Sequence, residues 1–300
     1  MTPNLTRYAW LSIAAAVATM ALKLVAWKLT GSVALLSDAL ESLVNLGGAA
    51  MALWMLHVAA QPPDHDHAYG HDKAEYFSSG FEGMLIFVAG GAIAWAAVPR
   101  LLHPLALEQT GAGIAVSAAA TAINFAVARV LAAAGQKHHS VTLRADADHL
   151  QTDVWTSAGV ILGVGLVALT GWQILDSLIA LAVAVNILWT GVRLVNEAAM
   201  GLMDAAWPET QLKELEAVLD RFRAQGVEFH AVRTRQAAAR HFVSCHVLVP
   251  GKWTVQRGHD LLEQIEAALA ERIPHLTAFT HMEPIEDPAS YSDINLERHG

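Results

Sequence analysis

Glu41 with Asn45, and His149 with Asp153, form two polar pairs inside segments apolar enough to cross a bilayer. Each pair is spaced i, i+4, so on a helix its members share one face. An ionisable group at the bilayer centre costs about 2.5–3.5 kcal/mol on insertion scales, and such groups mark ion or proton paths. Two carboxylates, an imidazole and an amide make a ligand set for a divalent metal ion. Asp38, three residues before Glu41, is placed either to support a ligand from behind or to substitute for one. Asp146 and Asp148 form a short acidic funnel at the mouth of the second segment. The alternative is a polar network that glues helices together. Asp and His spaced together, with a Glu elsewhere, favour the metal or proton path.

Two further clusters carry metal-ligand types. Asp64, His65, Asp66, His67, His71 and Asp72 lie close together ahead of Lys73. They offer borderline and hard donors, or else a solvated loop of no fixed geometry. In the last third stand His230, His241, His246, His259, His275 and His281, with Asp260 and Glu283. No short spacing links them, but His230, His246 and His281 fall in three expected strands, which would bring them near one another.

The elements that must position these groups follow from composition. Of 300 residues, 54% are hydrophobic and 16% charged, against about 25% charged in soluble proteins. Mean hydropathy is positive, as in a membrane protein. The net charge of −9 argues against a nucleic-acid partner, which wants a basic face. Fifteen histidines against nineteen Lys plus Arg is a composition suited to metal handling. One cysteine, Cys245, excludes an internal disulfide. The first apolar run is too long for a signal-peptide core and lacks a clear cleavage site.

Six runs of spanning length are expected, near Tyr8 to Leu29, Val33 to Val58, Phe81 to Leu102, Ala112 to Ala134, Asp146 to Leu169 and Leu175 to Val195. The breaks at Thr30-Gly31-Ser32 and Thr170-Gly171-Trp172 are short, which predicts antiparallel hairpins. Basic residues Arg7, Lys73, Lys137 and Arg144 place both termini in the cytoplasm by the positive-inside rule. After Trp207-Pro208 the pattern becomes that of a water-soluble domain. Amphipathic helices are expected over Glu209 to Ala224 and His259 to Arg272, and strands over Glu228 to Thr234, His241 to Val249 and Leu276 to Glu283. The order α-β-β-α-β describes a small α+β layer. Residues 1–203 thus form a transport domain, 204–287 a metal-binding domain, and 288–300 a tail with too little apolar content to order.

These stretches together resemble the cation diffusion facilitator family of divalent-metal/proton antiporters, closest to its bacterial iron/zinc-type members. The resemblance runs from Leu29 to Pro284. It rests on Leu29-Thr30-Gly31-Ser32-Val33, on Leu40-Glu41-Ser42-Leu43-Val44-Asn45, and on the loop from Gln61-Pro62 to Gly70-His71-Asp72-Lys73-Ala74-Glu75. It continues through Arg144-Ala145-Asp146 to His149-Leu150-Gln151-Thr152-Asp153, then Gly201-Leu202-Met203-Asp204, Val232 to Gln236, and His281-Met282-Glu283-Pro284. The resemblance implies a homodimer of six-span subunits with a cytoplasmic ferredoxin-like domain. It implies a transport site at Glu41, Asn45, His149 and Asp153, and a loop site at Asp64, His67 and His71. It further implies a binuclear cytoplasmic site at His230, His246, His259, His281 and Glu283, and a charge pair, Lys73 with Asp204, that locks the dimer. Glu41 and Asn45 depart from the family pattern of two aspartates, or His and Asp, on the second segment.

An imidazole in the set favours Zn²⁺, with Fe²⁺, Co²⁺ or Cd²⁺ possible, over hard Mn²⁺ or Mg²⁺. Metal binding needs His149 neutral and the carboxylates ionised, so it expels protons. The expected activity is export of a divalent transition metal in exchange for protons, across what the resemblance implies is a bacterial inner membrane. The alternative is a membrane-bound metal sensor without transport. A metal-assisted hydrolase would need an open coordination position and a substrate cleft, and the chain carries no nucleophile motif.

Overall fold

The computed structural model describes residues 6–137 and 141–292. Six helices come first: α1 (Thr6–Thr30), α2 (Val33–Ala59), α3 (Ala74–Leu102), α4 (Thr110–Lys137), α5 (Val141–Thr170) and α6 (Ile174–Leu202). Each is long and apolar enough to cross a membrane. They overrun the expected spans; α3 begins at Ala74 rather than near Phe81, because polar residues of its first turn cost a helix nothing at a wet end.

The breaks have a physical origin. Gly31 and Gly171 adopt φ +66 and +72, and their amides donate to Trp27 O and Val167 O at 2.8 and 2.9 Å. This is the left-handed glycine cap that ends a helix. The next helix then needs partners for its first amides. Asp176, at the start of α6, supplies them for α2: its carboxylate accepts from Val33 N at 2.8 Å and from the Ser32 hydroxyl. Asp176 is buried.

Packing rests on small residues, which let helices approach where lipid gives no hydrophobic drive. Ala-rich α4 packs against α1 and α5. A Cβ placed on Gly191 of α6 would lie 2.9 Å from Gly83 O of α3, so those helices meet backbone to backbone.

The chain divides into two compact units. One comprises residues 1–53 and 78–196, the other 54–77 and 197–300. The loop after α2 and the end of α6 therefore group with the C-terminal segment.

In the second unit come α7 (Glu209–Arg223), β1 (Glu228–Ala237), β2 (Arg240–Val249), α8 (Val255–Arg272) and β3 (Leu276–Pro284). The sheet order is β1-β2-β3, with β1 antiparallel and β3 parallel to β2. Leu215, Val218, Leu219 and Phe222 of α7 and Ile265 and Leu269 of α8 form one core with Val243, Cys245 and Val247 of β2. α8 starts a turn earlier than expected, because the Thr254 hydroxyl caps it by accepting from Arg257 N at 3.2 Å. The tail also departs from expectation. Residues Pro288–Tyr291 form a 3₁₀ turn, and Ser290 is buried, donating to Pro284 O at 2.8 Å. Low apolar content is outweighed there by local capping. The rest of the expected tail, 293–300, lies outside the described residues.

Candidate metal sites

α2 and α5 bring the intramembrane pairs together. Asn45 Nδ2 donates to Asp153 Oδ1 at 3.3 Å, and Asp153 is buried. Glu41, Asn45, His149 and Asp153 all line one cavity of about 160 Å³, together with Asn186 and Thr190 of α6. Asn45, His149 and Asp153 also line a second cavity, of about 100 Å³, on the side of Thr19 and Asn124. The quartet shares a polar chamber, but the ligand atoms of Glu41, His149 and Asp153 do not all lie within 4.8 Å of one another, as those of the two clusters below do.

Asp38 lines neither cavity. Its Oδ1 sits 2.8 Å from Lys23 Nζ of α1 and accepts from Ser157 Oγ at 2.7 Å. The ion pair with Lys23 engages this one oxygen of Asp38. Lys23 escaped the sequence reading. The signal was present, since a lysine in the middle of an apolar span demands a counter-ion. Asp148 is exposed; the side chain of Asp146 lies outside the described residues.

In the loop after α2, Asp64 is the organising residue. Its Oδ1 accepts from the amides of His67 and Asp66 at 2.7 and 3.0 Å. His67 Nδ1 lies 3.2 Å from Oδ1 and His71 Nε2 3.3 Å from Oδ2. Asp64, His67 and His71 hold their donor atoms within 4.8 Å of one another. The backbone amide of His67 holds the Asp64 carboxyl below the usual carboxylate range. The other acids and His of this run do not join: His65 pairs with Asp66 in solvent, and Asp72 lies 3.2 Å from Arg240.

The third cluster is a product of strand register. His230 pairs with His246 across β1–β2, and His246 with His281 across β2–β3. A bulge after His230, with Ala231 at φ +49, shifts the register there. Glu283 Oε2 lies 2.9 Å from His230 Nε2 and 3.1 Å from His246 Nδ1. His281 Nε2 is 3.5 Å from Glu283 Oε1. His259 stands apart from this cluster. It projects from α8 into solvent, 61% exposed and 4.0 Å from Glu263, because the opposite face of that helix is buried through Ile265 and Leu269. His241 packs against Trp207 instead of joining.

Lys73 Nζ lies 2.9 Å from Asp204 Oδ1 and also donates to Leu202 O at 3.2 Å. Arg235 approaches the same carboxylate at 3.6 Å.

Residues 9–203 match the cation efflux transmembrane domain, and residues 207–285 the cytoplasmic domain of cation efflux proteins. The uncharacterized transporter sll1263 of Synechocystis sp. is 56% identical over 292 residues, covering 97% of this chain and 94% of that protein. The cation-efflux pump FieF of Serratia proteamaculans is 32% identical over 289 residues, covering 93% of this chain and 94% of the pump. The solved metal-bound C-terminal domain of the CzcD transporter from Thermotoga maritima is 28% identical, covering 27% of this chain and 99% of that domain, with a TM-score of 0.25. Six apolar helices, the two domain matches and relatives aligned over more than nine-tenths of both chains agree: the chain belongs to the cation efflux family, also called cation diffusion facilitators, as an integral membrane protein built for metal cation transport.

Proposed function

We propose that this protein exports a divalent transition metal from the cytoplasm in exchange for protons, with Zn²⁺ as the best fit and Fe²⁺, Co²⁺ and Cd²⁺ as alternatives. The observation that carries the reading is the single cavity shared by Glu41, Asn45, His149 and Asp153. Two carboxylates, an imidazole and an amide oxygen suit a borderline dication better than a hard one. Loading metal requires a neutral His149 and ionised carboxylates, so protons leave as metal arrives and return as it departs. The second cavity, on the α1 and α4 side, gives Asn45, His149 and Asp153 another approach, as alternating access requires.

In this reading both termini lie in the cytoplasm of a bacterial inner membrane, and the subunits pair through the cytoplasmic domain. Asp64 with His67 and His71, and His230 with His246, His281 and Glu283, serve as accessory sites for the same metal. His259, which the resemblance also assigns to the second of these, lies exposed on α8. Lys73 and Asp204 brace the segment where the subunits meet.

The test is flux. Full-length protein in proteoliposomes carries Zn²⁺ inward or outward under a pH gradient, and dissipating the gradient stops accumulation. His149→Ala and Asp153→Ala abolish it. Undiminished flux in either variant refutes the site; binding without flux in the wild type supports a sensor instead.

A further inference from the structure

A fixed positive charge sits beside the transport chamber. Lys23, about two turns before the C-terminal end of α1, is 2% exposed. Its ammonium lies 2.8 Å from Asp38 Oδ1 and donates to Ser42 Oγ at 2.9 Å. Ser157 Oγ donates to the same Asp38 oxygen. Asp38 Oδ2 is buried and has no hydrogen-bond partner among the described residues. Asp38 precedes Glu41 by three residues on α2, and Ser157 follows Asp153 by four on α5. On both helices the network is therefore one turn, about 5.4 Å, from the chamber donors.

Stability alone gives no reason to keep such a pair. A buried ion pair is commonly matched or bettered by apolar residues of similar volume, whereas losing one partner leaves a costly lone charge. Its position supplies a reason. Asp38, Glu41 and Asp153 are three carboxylates within about two helical turns, and Asp38 has a free oxygen. If all three met a dication, the site would become rich in oxygen donors and suit hard ions such as Mn²⁺. It would also bind too tightly for release, which transport forbids.

We propose that Lys23 is a positioning residue that sets metal selectivity: it holds Asp38 out of the coordination of the transported ion and keeps the chamber at two carboxylates. This rests on the assignment of the transport site above. The ammonium acts through Asp38 and never touches the metal.

The experiment compares initial Zn²⁺ and Mn²⁺ rates, driven by a metal gradient, for full-length variants in proteoliposomes. Lys23→Met releases Asp38 and raises the Mn²⁺/Zn²⁺ rate ratio by about tenfold. Lys23→Arg keeps the wild-type ratio. Asp38→Asn leaves the ammonium unpaired beside Glu41 and Asp153 and weakens apparent Zn²⁺ affinity by about tenfold. The neutral double variant, Lys23→Met with Asp38→Asn, returns the ratio to within about twofold of wild type, since both charges are gone. An unchanged ratio in Lys23→Met overturns the proposal. If that variant does not fold, unchanged Zn²⁺ affinity in Asp38→Asn, or a shifted ratio in the double variant, overturns it equally. Wild-type protein that carries no metal overturns the transport reading itself, and this proposal with it; wild-type flux with an insensitive ratio sinks this proposal alone.

Discussion

Asn45 of α2 donates a hydrogen bond to Asp153 of α5 at 3.3 Å, so an amide stands where the family pattern expects a carboxylate. The neutral group can sit against Asp153 without a metal between them, which two carboxylates at that distance could not do without a shared proton or a cation. Asn45→Asp restores the family charge. It is expected to tighten Zn²⁺ binding to full-length protein by about tenfold and to slow release, lowering maximal flux. Calorimetric titration and proteoliposome rates check both; equal affinity would show that position 45 does not face the ion.

Asp176 predicts a purely structural loss. Its buried carboxylate accepts from Val33 N and the Ser32 hydroxyl, so Asp176→Ala leaves buried donors unpaired at the start of α2. Hydrogen bonds to a charged group are worth about 1.5–3 kcal/mol each, and the variant should unfold at a markedly lower temperature. Zn²⁺ flux per folded molecule should stay near wild type, because Asp176 lies outside both chambers. Flux lost at full stability would instead make it part of the ion path.

Much of this was readable from the chain, for physical reasons that differ by element. The apolar runs gave six helices because lipid tolerates no other unpaired backbone. Alternation in His241 to Val249 located β2, and placing His230, His246 and His281 in three strands foretold their approach. What alternation could not supply was register: the bulge after His230 sets it, and Ala231 carries no turn signal. The Lys23–Asp38 pair was hidden because its partners lie on different helices, with no i, i+4 spacing to betray them. Asp176 passed unnoticed at a span edge, where a carboxylate looks solvated. His259 was attached to the sheet cluster by resemblance alone, and the amphipathic face of α8 turns it to solvent.

The sheet cluster separates its members by role. Glu283 contacts His230, His246 and His281. Glu283→Ala should cost at least about tenfold in Zn²⁺ affinity of the cytoplasmic site. His259→Ala should change it less than about twofold, within the range of an ordinary surface substitution. The titration is done on full-length protein carrying Asp64→Ala and Asp153→Ala, so that the other sites stay silent. A large loss in His259→Ala would mean that α8 shifts to bring this ring in when metal binds.

The loop site should show a pH edge that does not come from its carboxylate. The His67 amide holds Asp64 below the ordinary carboxylate range, so Asp64 stays ionised as pH falls until that lowered value is reached. Its contribution is present above the ordinary range and disappears only below it. Any loss of loop binding in mildly acidic solution therefore does not come from the Asp64 carboxyl. Asp64→Asn is expected to weaken binding at every pH and leave the position of the edge unmoved. An edge that shifts with this substitution would assign the titration to Asp64.

Cys245 offers a probe of the cytoplasmic fold, because it is the chain's one cysteine. It lies in the core between β2 and the two helices, and burial pushes its thiol up to about 11. At pH 7.5 the thiolate, which is the reactive form, is then scarcer than in a free cysteine by roughly 300-fold. Maleimide labelling of the native protein should be slower by at least about that factor than labelling in denaturant, since enclosure adds to the ionisation penalty. A destabilising change in the same core, such as Leu219→Ala, should accelerate labelling in proportion to the open population. Fast labelling of native wild type would mean that the sheet and helices part far more often than this packing allows.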